Sequence, residues 1–191
     1  MMTVFYLIIA HLLGDFVFQP NALIKWKHES WRGTLVHALI VTAFSGILIF
    51  PYMITFKAFW LLILLFAAHF AQDNLKIIYQ RREAGKRAAW PFFVDQALHI
   101  FFIWVFGSEI SKLPSLSLPA KFMEVYQSQN LLLFTGLAIF FTFALDIVKF
   151  EIFRVKHGAV KYHRDYCGIS YRLLAFIVSY ALFLMVLALS Q

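Results

Sequence analysis

Six long apolar stretches constrain this chain more than any other feature of its sequence. Each is roughly 20 residues long, the length that an α-helix needs to cross the hydrocarbon core of a bilayer. The 191 residues are 62% hydrophobic and 14% charged, whereas soluble domains carry about 25% charged residues. We therefore predict an all-α, polytopic membrane protein, with a single transmembrane domain over 1–191 built as a six-helix bundle. The predicted helices lie near 2–19, 33–53, 57–79, 91–108, 130–150 and 169–190.

The basic residues fall mostly on one side of this predicted bundle. Thirteen of the 17 lysines and arginines lie in the loop 20–32 or in the segments 76–87 and 149–164. Because loops rich in Lys and Arg stay in the cytoplasm, both termini are expected on the extracytoplasmic side. The net charge of +7 is thus a topology signal, and nucleic acid is not expected as a partner. The expected partner is the lipid bilayer, whose anionic head groups the basic loops can attract.

Histidine and aspartate recur inside the predicted helices, where ionisable side chains are costly. Three helices carry a His/Asp pair spaced i, i+4, which places both side chains on one face. The pairs read His–Asp in the first and third helices and Asp–His in the fourth, which runs the other way. All three pairs therefore have the same orientation in space, with their carboxylates nearer the cytoplasm. With the histidine of the second helix, the set is His11, Asp15, His37, His69, Asp73, Asp95 and His99.

Four imidazoles and three carboxylates at one depth suit a divalent metal. A zinc ion takes four ligands, or three and a water, so seven groups favour two ions or one ion with outer residues that orient its ligands. We predict one or two zinc ions, with manganese, iron and nickel as alternatives. The single Cys167 excludes a disulfide framework and a cysteine-rich zinc site. The candidate catalytic groups are the carboxylates of Asp15, Asp73 and Asp95.

Further polar residues are predicted to bind substrate or to support the metal ligands. Lys76 lies one turn from Asp73 and can neutralise a carboxylate or hold an anionic head group. Arg172 can bind a phosphate or extend to the membrane interface, and Asp146 can pair with Lys149. The predicted set is Gln19, Lys76, Gln96, Asp146 and Arg172.

The segments "HLLGDFVFQ", "HFAQDNLK" and "DQALH" resemble the motifs of a family of bacterial inner-membrane proteins, the domain of unknown function 3307 (DUF3307) family. The resemblance implies a multi-pass protein of the bacterial inner membrane, but the family carries no activity. Near the end, "GISYRLL" keeps Gly168 and Arg172 of a motif of some longer members and has Tyr171 in place of an acid. The residues at motif positions are His11, Gly14, Asp15, Gln19, His69, Asp73, Lys76, Asp95, Gln96 and His99.

Three functions are compatible with a His/Asp cluster inside a membrane. We favour a metal-dependent hydrolase that takes a lipid, lipid-linked or membrane-embedded substrate from the cytoplasmic leaflet. The alternative is a transporter or channel for divalent cations or protons, although the extracytoplasmic halves of the helices are nearly bare of the ionisable groups that such a path needs. The third is a structural or regulatory metal site in a membrane partner protein.

Overall fold

The computed structural model describes residues 2–82, 88–157 and 164–189, and within these ranges all regular structure is helical, as predicted. Short π-helical turns at Leu13–Val17 and Phe140–Ala144 interrupt the helical path, and a 3₁₀ turn covers Phe50–Tyr52. The helices are α1 (Met2–Leu12), α2 (Asn21–Glu29), α3 (Trp31–Leu48), α4 (Phe56–Arg82), α5 (Trp90–Ile110), α6 (Ala120–Tyr126), α7 (Gln129–Ile139), α8 (Leu145–His157) and α9 (Tyr166–Leu189).

Five of the described stretches are long and apolar enough to cross a membrane: Trp31–Leu48, Phe56–Arg82, Trp90–Ile110, Gln129–His157 and Tyr166–Phe183. A sixth is a bent pair, in which Met2–Val17 meets Asn21–Glu29 at 90°. These stretches coincide with the six predicted helices and indicate a multi-pass membrane protein. Only 6% of the residues in Tyr166–Phe183 are buried, so this part of α9 is mostly exposed.

The structure differs from the predicted elements in the connections. The loop predicted at 20–32 contains α2, the fifth predicted helix continues beyond 150 to His157, and the connection after α5 contains the short α6. Pro20 lacks an N–H donor and sits where α1 has ended and α2 begins, which fits its place at a helix boundary. Lys86, Arg87 and Lys161, which contribute to the predicted charge asymmetry, lie outside the described residues.

The end of α1 winds into the π-helical turn Leu13–Val17. The turn contains Gly14, where a Cβ atom would overlap the Val41 side chain of α3. The missing side chain therefore lets α1 and α3 approach closely, a use of small residues that is common between membrane helices. A π-helical turn adds one residue to a helical turn, and such turns are frequent at functional sites.

Helices α1, α3, α4 and α5 pack around one another and form the centre of the bundle. In one half of this centre the side chains are apolar, with Leu7, Ile49 and Ile110 almost fully buried. Helix α6 covers that end, where the Tyr126 hydroxyl donates to the Leu48 carbonyl at 2.7 Å and the Tyr126 ring stacks on Tyr6. The polar side chains of the centre therefore concentrate in its other half.

Candidate metal centre

All seven histidines and aspartates predicted as metal ligands meet in the polar half of the bundle. Each of the four central helices contributes: α1 and its π-helical turn, α3, α4 and α5. No more than 7% of any of these side chains is exposed. Three groups have ligand atoms within 4.8 Å of one another, and together they include all seven residues: His11–His69–His99, Asp15–His37–His69 and Asp73–Asp95–His99.

The first of two non-overlapping groups, here called triad A, consists of Asp15, His37 and His69. Asp15 Oδ1 lies 3.2 Å from His37 Nε2 and 3.7 Å from His69 Nε2, and the two Nε2 atoms are 3.1 Å apart. Two ligand atoms about 2.1 Å from one tetrahedral zinc ion lie roughly 3.4 Å apart. The three separations in triad A therefore bracket the spacing that a tetrahedral ion requires.

The second group, triad B, consists of Asp73, Asp95 and His99. His99 Nε2 lies 3.4 Å from Asp95 Oδ1 and 3.8 Å from Asp73 Oδ1. The two triads are adjacent, because the rings of His69 and His99 stack with their centroids 4.2 Å apart. His11 completes the cluster beside both rings, and its Nδ1 lies 3.5 Å from Asp15 Oδ1.

Two glutamines orient the histidine rings from outside the triads. Gln96 Oε1 lies 3.2 Å from His11 Nε2, so this nitrogen donates and His11 Nδ1 keeps its lone pair. The Gln19 amide is satisfied when its nitrogen donates to the Asp15 carbonyl and its oxygen accepts from Lys27 Nζ at 2.7 Å. In this orientation the Gln19 amide oxygen is the atom 3.3 Å from His37 Nδ1, so His37 Nδ1 donates a hydrogen bond to it. The other ring nitrogen, His37 Nε2, therefore has a lone pair, which faces triad A. Outer hydrogen bonds of this kind fix metal-binding histidines.

Several buried atoms of the cluster lack a hydrogen-bond partner. A buried polar atom without a partner is costly and needs an explanation. Beside both atoms of the Gln72 amide, the set includes at least one atom from five of the seven predicted ligands: His11 Nδ1, Asp15 Oδ1, Asp73 Oδ1, Asp95 Oδ1 and His99 Nε2. The carboxylate oxygens are acceptors, and a cation between them and the imidazole nitrogens would satisfy them. The residues present therefore fit a divalent metal.

Two lysines neutralise the carboxylates of triad B. Lys27 Nζ lies 2.5 Å from Asp73 Oδ2, and Lys76 Nζ lies 2.5 Å from Asp95 Oδ2. Lys76 Nζ also lies 3.7 Å from Asp73 Oδ1. The Oδ1 atoms of both carboxylates are directed at His99, and Asp73 Oδ2 lies 3.5 Å from His37 Nε2 of triad A. The role considered for Lys76 as a neutralising cation agrees with this geometry.

Lys27 contacts the cluster but was missed by the sequence analysis, where it counts only as part of a basic loop. The side chain is 7% exposed and enters the cluster from α2. A signal is present in the sequence: Leu23 and Lys27 are four apart and are the buried positions of α2. Helix α2 also packs tightly on the start of α3, because a Cβ atom at Gly33 would lie 2.5 Å from the Lys27 backbone nitrogen.

The remaining predicted site residues separate from the cluster. Arg172 donates to Asp146 Oδ1 at 2.9 Å and to the Thr142 carbonyl at 3.3 Å. Among the described residues, Asp146 belongs to none of the three ligand-spaced groups. Asp146 and Arg172 therefore pair with each other between α8 and α9.

A cavity of about 140 Å³ connects the cluster with its surroundings on the polar side. This cavity, here called the basic pocket, has Asp15 of triad A in its wall, together with Gln19, Lys27, Lys76, Gln96 and Arg164. Behind the triads, a much smaller cavity of about 10 Å³ is lined by His11, His69, His99 and Gln72. A water molecule needs roughly 10–15 Å³, so the smaller cavity has space for about one.

Comparison with known proteins places these residues in a family. No curated protein and no solved structure matches the chain. A family model with the description "Protein of unknown function (DUF3307)" matches residues 3–128. The matched range contains all seven predicted ligands and both lysines and ends before α7. Because the match covers more than half of the 191 residues, the chain belongs to the DUF3307 family.

Proposed function

We propose that this protein is a metal-dependent membrane hydrolase, with a dinuclear centre of divalent ions held by triads A and B. The observation that carries the proposal is the convergence of buried polar atoms without partners on five of the seven ligand residues, of which Asp15 lines the basic pocket. Zinc is the preferred ion because the ligands are imidazole and carboxylate without sulfur, and manganese, iron and nickel are alternatives.

The chemistry follows from the donor set. A divalent ion in such a site supplies an ionised water near neutral pH and polarises a carbonyl or phosphoryl oxygen of the substrate. Asp15 is the ligand carboxylate that borders the basic pocket, and we assign it the role of proton acceptor for the attacking water. Asp73 and Asp95 each give one oxygen to a lysine and turn the other toward His99, which suits them to hold and orient an ion.

The proposed substrate is a lipid, a lipid-linked molecule or a membrane-embedded peptide that reaches the site from the cytoplasmic leaflet. The proposal includes six membrane-spanning helices, with both termini on the extracytoplasmic side and the basic segments in the cytoplasm of a bacterial cell. In this orientation the basic pocket opens toward the cytoplasmic leaflet, where anionic head groups are available.

A transporter is the second candidate, and the packing of the bundle disfavours it. Beyond the triads the centre of the bundle is filled by Leu7, Leu62, Leu65 and Ile103, all nearly buried. A conducting path needs polar groups across the whole bilayer. A purely structural metal site is the third candidate, and a cavity of about 140 Å³ beside the ligands is not required for that role.

The test combines metal content and ion flux. The detergent-purified protein should contain one or two equivalents of metal, and His69→Ala and Asp73→Ala should each lose metal. His157→Ala is the matched control, because His157 is exposed at the end of α8. A metal content near zero that neither substitution changes would overturn the metal site. Zinc or proton flux in proteoliposomes that depends on His69 would favour transport over hydrolysis.

A further inference from the structure

Among the described residues, three cationic side chains line the basic pocket, a lining more typical of a site for a polar or anionic group than of a site for a purely apolar substrate. Lys27 and Lys76 lie in its wall with Arg164, whose guanidinium donates to the carbonyls of Phe16 and Val17 at 2.8 and 3.0 Å. Gln19 and Gln96 add amide groups to the same wall. Its volume of about 140 Å³ has space for several waters, and therefore for a small polar group rather than one water alone.

The charges of the pocket and the cluster are balanced when only the protein is counted. Lys27 pairs with Asp73 and Lys76 with Asp95, and Glu151, also in the wall, pairs with Arg154 at 2.7 Å. Of the remaining charged residues of the wall, the positive charge of Arg164 equals in number the negative charge of Asp15. The pocket by itself therefore has no net attraction for an anion.

Divalent ions change this balance. One divalent ion on the triads adds two positive charges to a site that is otherwise neutral, and two ions add four. The shortest contacts of the two lysines, at 2.5 Å, are with the Oδ2 atoms of Asp73 and Asp95, whereas His99 faces their Oδ1 atoms. A metal beside His99 therefore need not break either of these two short ion pairs. The excess charge lies in a site of low dielectric constant, where electrostatic interactions are strong.

A phosphate group has the properties that such a site recognises. It carries one or two negative charges and several acceptor oxygens, which suit ammonium donors and a metal. A carboxylate is smaller than a phosphate group and carries a single negative charge. It therefore neutralises less of the positive charge that two divalent ions add to the site.

We infer that the basic pocket binds the phosphate group of a phosphate ester substrate, and that it does so only when the triads hold divalent metal. The inference rests on the proposed function and names its substrate class. In the reaction, the oxygen of a water forms a bond to phosphorus and the ester P–O bond breaks. Asp15 takes the proton from the water, and that proton passes to the oxygen of the leaving alcohol.

Binding of phosphate tests this inference directly. The full-length protein is purified in a nonionic detergent, loaded with zinc, freed of unbound metal and dialysed against labelled inorganic phosphate. A parallel sample is treated with a chelator. A second pair of samples is titrated with phosphatidic acid in mixed micelles, with phosphatidylcholine as the zwitterionic control. The metal content of every sample is measured.

We expect the metal-loaded protein to bind inorganic phosphate, phosphatidic acid or both at least tenfold more tightly than the chelated protein. Binding of phosphatidic acid alone would identify a lipid phosphate as the substrate group, and binding of both would identify the phosphate itself as sufficient. In samples that are folded and matched to the wild type in metal content, Lys27→Gln and Lys76→Gln should each weaken phosphate binding about tenfold, since each removes one charged donor. Lys25→Gln is the matched control, because Lys25 lies on the same helix as Lys27 and its side chain is 79% exposed.

The outcomes separate the two proposals. Metal-loaded protein that binds neither phosphate nor phosphatidic acid overturns the phosphate pocket and leaves the metal centre in place. If the chelator does not change phosphate binding, the phosphate inference is likewise overturned and the metal centre is left in place. This comparison uses the wild-type chain alone, so it does not depend on the folding of any variant. Protein that takes up no metal overturns both proposals together.

Discussion

Lys27 Nζ lies 2.5 Å from Asp73 Oδ2, and the two residues are 46 positions apart in the sequence. The contact joins α2, which follows the bend at the end of α1, to the middle of α4. Both side chains are almost fully buried, with 7% of Lys27 and 0% of Asp73 exposed. The pair therefore fixes the position of α2 over the polar half of the bundle.

Removal of one partner of this buried pair should be strongly destabilising. Lys27→Met removes the nearer of the two lysines that pair with the Asp73 carboxylate, and breaking a buried pair typically costs about 3–5 kcal/mol. Lys25→Met is the control, since the Lys25 side chain is 79% exposed and its pair with Glu29 spans 3.7 Å. Thermal unfolding of the chelated proteins in detergent measures the difference. Equal unfolding midpoints for the two variants would show that the pair does not support the fold.

The two triads should lose metal independently. If each holds one ion, His37→Ala should retain the ion of triad B and Asp95→Ala the ion of triad A, so each variant contains about half of the wild-type metal. The double variant should contain none. Elemental analysis of the purified proteins measures the stoichiometry, with His157→Ala, an exposed histidine at the end of α8, as control. Complete loss of metal in either single variant would instead indicate one shared centre.

The close contact at Gly14 should be intolerant of a side chain. Gly14→Ala introduces a Cβ atom that overlaps Val41, and overpacking of this kind typically costs about 1–3 kcal/mol. The substitution should also reduce metal content, since α1 carries Asp15 and α3 carries His37 of the same triad. Gly136→Ala is the control, because its Cβ would lie 3.7 Å from Ile9, an ordinary contact. Similar stability and metal content in the two variants would contradict close packing at Gly14.

Gln96 should tune the affinity of the centre for metal without being a ligand. Gln96→Leu removes the acceptor for His11 and a donor to Asp95, 3.2 Å away. Loss of an outer hydrogen bond typically weakens metal binding about 10- to 100-fold. Competition with a zinc chelator of known affinity measures the change, and Gln129→Leu at the exposed start of α7 is the control. An unchanged affinity would show that Gln96 does not orient His11.

Much of this arrangement is predictable from the sequence because the same His/Asp spacing recurs in three of the helices. The six apolar stretches have the length of membrane helices, and the i, i+4 spacing of His69 and Asp73 puts both on one face of α4. The same spacing in three helices, with the order reversed in the antiparallel one, indicates a common depth. Six of the seven predicted ligands follow from that pattern, His37 is a lone histidine of the second helix, and the structure brings all seven together.

The parts that escape prediction depend on local backbone geometry. Nothing in the periodicity of 2–19 indicates that α1 ends in a π-helical turn, and the 90° bend after it turns an expected loop into α2. Lysine is usually exposed to solvent, so the residue type does not predict that Lys27 is buried. The packing of α2 against Gly33 directs its side chain inward. Asp146 and Arg172 also depend on tertiary packing, because their contact joins α8 to α9 across 26 positions.

The π-helical turn at Leu13–Val17 lets the first helix meet two requirements, the packing of its apolar side chains and the orientation of Asp15. A regular α-helix advances about 100° per residue, so the angular phase of Asp15 would otherwise be fixed by the apolar positions that precede it. The additional residue resets this phase, and α1 keeps its apolar contacts while Asp15 points at His37. Deletion of Leu13, which precedes Asp15 in the turn, would thus rotate the carboxylate away from triad A while leaving Met2–Leu12 in register.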